Sequence, residues 1–176
     1  MKALAVAAIL SLATTPSMAL TLTSSDVSTG ETFPTQFICP KYQGSGVSPA
    51  LSWNDVPDGT KSLAITMFDP DAGTNGFWHW VLVDLPATET GLVQGAASPG
   101  GTLPPSAVSL PNGSGTDGYI GPCPPAGKVH HYEITLYALP IAQAAVSGAM
   151  TPAEIGSYLE KTAIGTAQIT PVYEQQ

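Results

Sequence analysis

The chain has 176 residues, five lysines, no arginine, 13 acidic residues and a formal net charge of −8 at pH 7. That length suits one domain with a sizeable core. So few cations argue against nucleic-acid binding and against electrostatic docking on anionic lipid, both of which run on Lys and Arg.

The chain opens with the features of an export signal. Lys2 is the charged start, Ala3 to Leu12 is an apolar run, and Ser17-Met18-Ala19 fits a small-x-small cleavage site. The apolar run is too short to span a bilayer as a mature helix. A buried first helix is the alternative. We therefore expect a signal peptide over 1–19 and an exported, periplasmic or secreted domain over 20–176. No cysteine follows the cut to carry a lipid anchor, and no later stretch is apolar for long enough to be a transmembrane helix.

Beyond residue 19, short apolar runs alternate with Gly and Pro. This favours a mostly β domain. The runs predict strands over Leu20–Ser24, Thr35–Cys39, Leu51–Trp53, Ser62–Phe68, Trp78–Leu85, His131–Leu139 and Ala167–Tyr173. Gly91 to Pro125 is rich in Gly, Pro, Ser and Asn and reads as a long surface loop. One helix has a clear start. Thr151-Pro152-Ala153-Glu154 sets an N-cap, a proline at N1 and a capping-box glutamate, predicting a helix to about Thr162. In an exported chain the cysteines Cys39 and Cys123 suggest a disulfide, with two free buried thiols as the alternative.

Two segments carry the chemistry. FDPDAGTNGFWHW, Phe68 to Trp80, joins two carboxylates, a turn and a histidine between tryptophans. VHHYEITLYAL, Val129 to Leu139, holds the other two histidines. Strand alternation puts His79, Val81 and Val83 on one face and Trp80, Leu82 and Asp84 on the other. It also puts His130 and Tyr132 on the apolar face of their strand and His131 in solvent, where no role is expected. A Pro- and Gly-rich turn precedes each strand, DPDAGTNG and GPCPPAG, leaving backbone N–H groups available to an anion. Brought together, Asp69, Asp71, His79, His130 and Tyr132 would form one site. Carboxylates would orient the imidazoles, and charged rings would donate to an anion. The mixed lining suits a zwitterion, phosphate plus ammonium.

Three other readings use the same residues. They could be a plain hairpin with satisfied polar side chains. Two Asp and two His could hold zinc or manganese in a metal-dependent hydrolase. Paired acids with histidine could do acid–base catalysis. However, there is no G-x-S-x-G elbow, and acids two residues apart do not flank a glycosidic bond.

These segments, with VSPALSW at Val47 to Trp53 and the C-terminal ITPVYE, resemble the phosphatidylethanolamine-binding protein family, in its bacterial Raf-kinase-inhibitor-like branch. The resemblance spans nearly all of the expected mature chain. It implies a β-sandwich of two packed, mainly antiparallel sheets, few helices, and a small anion or phospholipid-head-group pocket. Motif by motif it makes Asp69, Asp71, His79, Pro124, Pro125, His130 and Tyr132 the ligand residues. It implies no required metal or cofactor, and it supports the Cys39–Cys123 disulfide. Relatives described as regulators of kinases or inhibitors of serine proteases leave a protein partner as a second reading. The chain departs from the family where Gly73 replaces the usual proline after DPDA, and where Cys123 to His130 is about a residue shorter than in many relatives. The expectation is a non-catalytic binding protein, monomer or homodimer, whose affinity for a phosphoethanolamine-like ligand rises as pH falls toward the histidine range.

Overall fold

The computed structural model describes residues 19–176. The expected signal segment therefore lies, apart from Ala19, outside the described residues. Ten strands and one α-helix follow: β1 (Thr21–Thr23), β2 (Leu51–Asn54), β3 (Ser62–Asp69), β4 (Phe77–Pro86), β5 (Gly91–Leu92), β6 (Val108–Ser109), β7 (His130–His131), β8 (Glu133–Leu139), α1 (Pro152–Thr162), β9 (Gly165–Ile169) and β10 (Val172–Tyr173).

The apolar run SLAITMF becomes the middle of the molecule. β3 is the central strand of a five-stranded sheet ordered β6-β4-β3-β8-β9, with every named pairing antiparallel. Its faces are covered by different elements, which is why it reads as continuously apolar. On one face Leu63, Ile65 and Met67 join Leu136 of β8 and pack on Leu22, Leu51 and Trp53 of a three-stranded sheet, β1-β2-β5. On the other face Ala64, Val81, Val83 and Tyr137 lie under Ile155 and Leu159 of α1. Burying each of those helix side chains stabilises the fold by roughly 1.5–3 kcal/mol. The helix starts as expected: Thr151 Oγ1 accepts from the Glu154 N–H at 3.3 Å, and Glu154 accepts from the Thr151 N–H at 2.8 Å.

Three expectations change. A third sheet exists, two-stranded, pairing β10 with β7. It forms because the strand expected over His131–Leu139 starts at His130, breaks at Tyr132 and changes partner. Glu133–Leu139 pairs with β3 and β9, whereas His130 and His131 pair with Tyr173 and Val172. The expected Ala167–Tyr173 strand breaks at the same level, at Pro171, which has no N–H to donate. Thr35–Cys39 is not a strand. Thr35–Phe37 and Pro40–Tyr42 are single 3₁₀ turns, each led by a proline whose fixed φ favours a turn. The long 91–125 segment is tied down as well: Leu110, Gly113 and Ile120 donate backbone N–H bonds to Val81, Trp78 and His79 on β4.

Candidate functional site

The position of His79 follows from a β-bulge. Met67 pairs with Trp80 and Phe68 with Trp78, so β4 carries one extra residue there, His79. The bulge turns the imidazole to the side where Trp80 and Leu82 pack, while Trp78, Val81 and Val83 join the helix side. The strict alternation expected from the sequence fails at this residue. It fails again at Asp84, where a second shift accompanies a left-handed φ of 58°. Asp84 leaves the core face and accepts the Ala144 N–H at 2.7 Å.

The loop before the bulge is shaped by Asp69. Its Oδ1 accepts the Asp71 N–H at 2.9 Å, an Asx turn. Gly76 closes the loop at φ 67°, where a Cβ would meet the Phe68 ring. The opposite wall is the GPCPP segment, held against residues 37–42. Gly121 lies on the Phe37 and Ile38 backbone with no room for a Cβ. The Cys39 N–H donates to Pro122 at 3.0 Å, and the Tyr42 hydroxyl donates to Pro124 at 2.8 Å. The disulfide joins Cys39 to Cys123 with Cα atoms 5.5 Å apart.

Between these walls lies a cleft of about 440 Å³. Asp69, Asp71, His79, Pro124, Pro125 and His130 all line it, as do Phe77, Ile120, Cys123 and Lys128. His130 Nδ1–H donates to Asp69 Oδ2 at 2.7 Å, and both side chains are almost fully buried. Asp69 Oδ2 is 3.9 Å from His79 Nε2. One carboxylate therefore sits between two imidazoles drawn from segments about fifty residues apart in sequence.

Tyr132 is placed differently from expectation. It is completely buried behind the cleft and does not line it. Its ring packs edge-on to His79 and Phe33 at 5.2 and 5.5 Å and lies 6.5 Å from the His130 ring. Burial pushes its phenol far up, so it stays neutral.

The histidines are not two equivalent cations. His79 Nδ1–H donates to the Ile120 carbonyl at 2.9 Å, and the Ile120 N–H returns a bond of 2.9 Å to the His79 carbonyl. Burial lowers the His79 pKa to about 4, against the opposing pull of the Ile120 carbonyl and Asp69. Near neutral pH the ring is therefore uncharged, with Nε2 an acceptor. In the free protein the ring thus differs from the imidazolium donor expected of it. His130 fixes its Nδ1–H on Asp69, so Nε2 is its free nitrogen.

Asp71 turns away from both rings. Its Oδ2 accepts the His131 N–H at 3.0 Å and the His131 ring at 2.8 Å, and Oδ1 is 3.2 Å from Lys128 Nζ. The His131 bond is the main reason its pKa falls to about 2. His131, expected to have no role, is the bolt on this loop, and Asp71 orients it instead of a cleft histidine. Lys128 was not singled out from the sequence. Only its proximity to GPCPP could have pointed to it. Among the described residues no three His, Cys, Asp or Glu side chains are arranged to hold a metal ion.

Residues 23–174 match the family model described as phosphatidylethanolamine-binding protein. The chain is 41% identical to the UPF0098 protein YbcL of Escherichia coli K12, over 99% of both chains. It is 38% identical to the putative lipoprotein LppC of Mycobacterium tuberculosis H37Rv, over 92% of this chain and 77% of that one. The crystal structure of E. coli YbcL, described as a new member of the mammalian PEBP family, superposes with a TM-score of 0.86. It covers 90% of this chain and 100% of YbcL. The putative PEBP homolog CT736 of Chlamydia trachomatis superposes at 0.76 with 32% identity, covering 90% of this chain and 99% of CT736. The chain belongs to the phosphatidylethanolamine-binding protein family.

Proposed function

We propose that this is an exported binding protein for a small phosphorylated ligand of the phosphoethanolamine type, acting by recognition and not by turnover. The observation that carries this reading is the Asp69 carboxylate between His130 and His79 at a cleft about 440 Å³ in volume. Such a lining offers both kinds of partner. His79 Nε2 and Asp69 accept from an ammonium or a P–O–H group. His130 Nε2 and cleft N–H groups face the phosphate oxygens, with His130 donating when protonated. Pro124, Pro125 and Phe77 supply apolar wall. No serine or cysteine nucleophile lines the cleft, since the sulfur of Cys123 is in a disulfide.

Export is supported by the apolar start of the chain, by the disulfide, and by the lipoprotein description of one relative. On this reading residues 20–176 form the working domain.

Calorimetric titration with O-phosphoethanolamine tests the proposal. We expect saturable 1:1 binding, weakened by about 1.5–3 kcal/mol in His130→Ala through loss of a charge-assisted bond. In the free protein burial keeps His79 neutral near pH 7, so it carries no standing imidazolium charge into the cleft there. Absence of saturable heat, or binding unchanged in His130→Ala, would overturn the reading.

A further inference from the structure

The buried end of the cleft holds two imidazoles and one carboxylate but no lysine or arginine. His79 is held neutral by burial, and the His130 Nδ1–H is committed to Asp69. One lysine lines the cleft, Lys128, and the chain has no arginine. Lys128 follows Gly127, whose φ is 84°, on the rim opposite the DPDA loop. Its ammonium contacts Asp71 twice, at Oδ1 and at the carbonyl, both 3.2 Å. The side chain is nevertheless 60% exposed, so that contact is screened and easily exchanged.

Asp71 does not depend on it. Oδ2 carries two bonds from His131, one from the backbone N–H and one from the ring. If Lys128 leaves, the carboxylate remains paired and the loop remains bolted.

We propose that Lys128 supplies an ammonium to the anion at this site alongside His130, parked on Asp71 in the free protein and transferred to the phosphate when ligand enters. This rests on the phosphorylated-ligand reading above and names a group that supplies its positive charge. Asp71 then acts as a competitor for the ammonium, setting the threshold a ligand must exceed. A ligand with a phosphate gains from the exchange. An amine without one does not.

Variants with opposite expected signs separate this from a structural role for the lysine. In titrations with O-phosphoethanolamine and with inorganic phosphate, Lys128→Met raises Kd about ten- to a hundred-fold. Lys128→Arg restores most of the affinity, and added salt weakens the wild type more than Lys128→Met. Asp71→Asn lowers Kd several-fold, because the ammonium no longer has to leave a carboxylate. The same Asp71→Asn change in a Lys128→Met background brings no gain. If Lys128 merely braced the loop, Lys128→Met and Asp71→Asn would both weaken binding, and that result overturns the proposal. Wild-type Kd retained in Lys128→Met overturns it too while leaving the phosphorylated-ligand reading intact. Failure of the wild type to bind either probe overturns both.

Discussion

Burial of His79 as a neutral ring makes the protein acid-sensitive in a defined window. An unfolded histidine titrates near 6.5, whereas His79 in the folded chain titrates at about 4. Between these values the unfolded chain binds a proton that the native protein refuses, so stability falls as pH falls. The contribution is fully present above 6.5, is lost progressively toward about 4, and levels off below it. At about 1.4 kcal/mol per pH unit this corresponds to roughly 3 kcal/mol. That is a large share of the total for a domain whose net stability is about 5–15 kcal/mol. The Asp71 contribution lies outside the window. It is present above the ordinary carboxylate value and is lost only as pH falls toward about 2. Guanidinium unfolding at pH 7, 6, 5 and 4, on wild type and His79→Asn, isolates the ring. Asn keeps a side-chain N–H near the position of Nδ1 and cannot titrate. The variant is less stable at pH 7, but the gap narrows by roughly 3 kcal/mol at pH 4. Parallel pH slopes for the two proteins would refute the assignment of His79 as the proton-refusing group.

Other substitutions test how the walls are built. Reduction of Cys39–Cys123, or paired replacement by Ala, removes a link across 84 residues and costs about 4–5 kcal/mol in denaturant unfolding. Intact non-reduced protein should weigh two protons less than the reduced form by mass spectrometry, with no free thiol. Thr151→Ala removes the helix cap and costs about 0.5–2 kcal/mol by thermal unfolding. Gly156→Ala pushes a Cβ into the Trp78 ring. It should destabilise by about 1–3 kcal/mol despite the better helix propensity of Ala. An unchanged midpoint would show that helix and ring separate freely.

Patterns within single segments were legible in advance. The Thr151 cap, the β3 run and the apolar face of Tyr132, Ile134, Leu136 and Ala138 follow from local spacing and recur in the fold. Asp69, Asp71, His79, Pro124, Pro125 and His130 were singled out in advance and line the cleft, whereas Ile120 and Lys128 were not. What escaped depends on partners distant in sequence. Thr35–Cys39 has strand-like residues, but prolines on either side and backbone bonds to Val47, Gly46 and Pro122 hold it as turns. The face of His79 required knowledge of a bulge, and a strand read with period two cannot contain one. Its neutral state required knowledge of its burial, which elements distant in sequence create and which outweighs the opposing pull of the Ile120 carbonyl. Asp71 and His131 were each visible, but their pairing across sixty residues was not.

The ring nitrogens of the three histidines report most directly on whether the cleft binds its ligand through His79 and His130. Proton–nitrogen correlation spectra of ¹⁵N-histidine-labelled protein, titrated with O-phosphoethanolamine at neutral pH, resolve each ring. We expect saturable shifts at Nε2 of His79 and His130, with His131 moving little because its ring stays on Asp71. Shifts confined to His131, or unmoved cleft rings at ligand concentrations that saturate the calorimetric signal, would contradict recognition in this cleft.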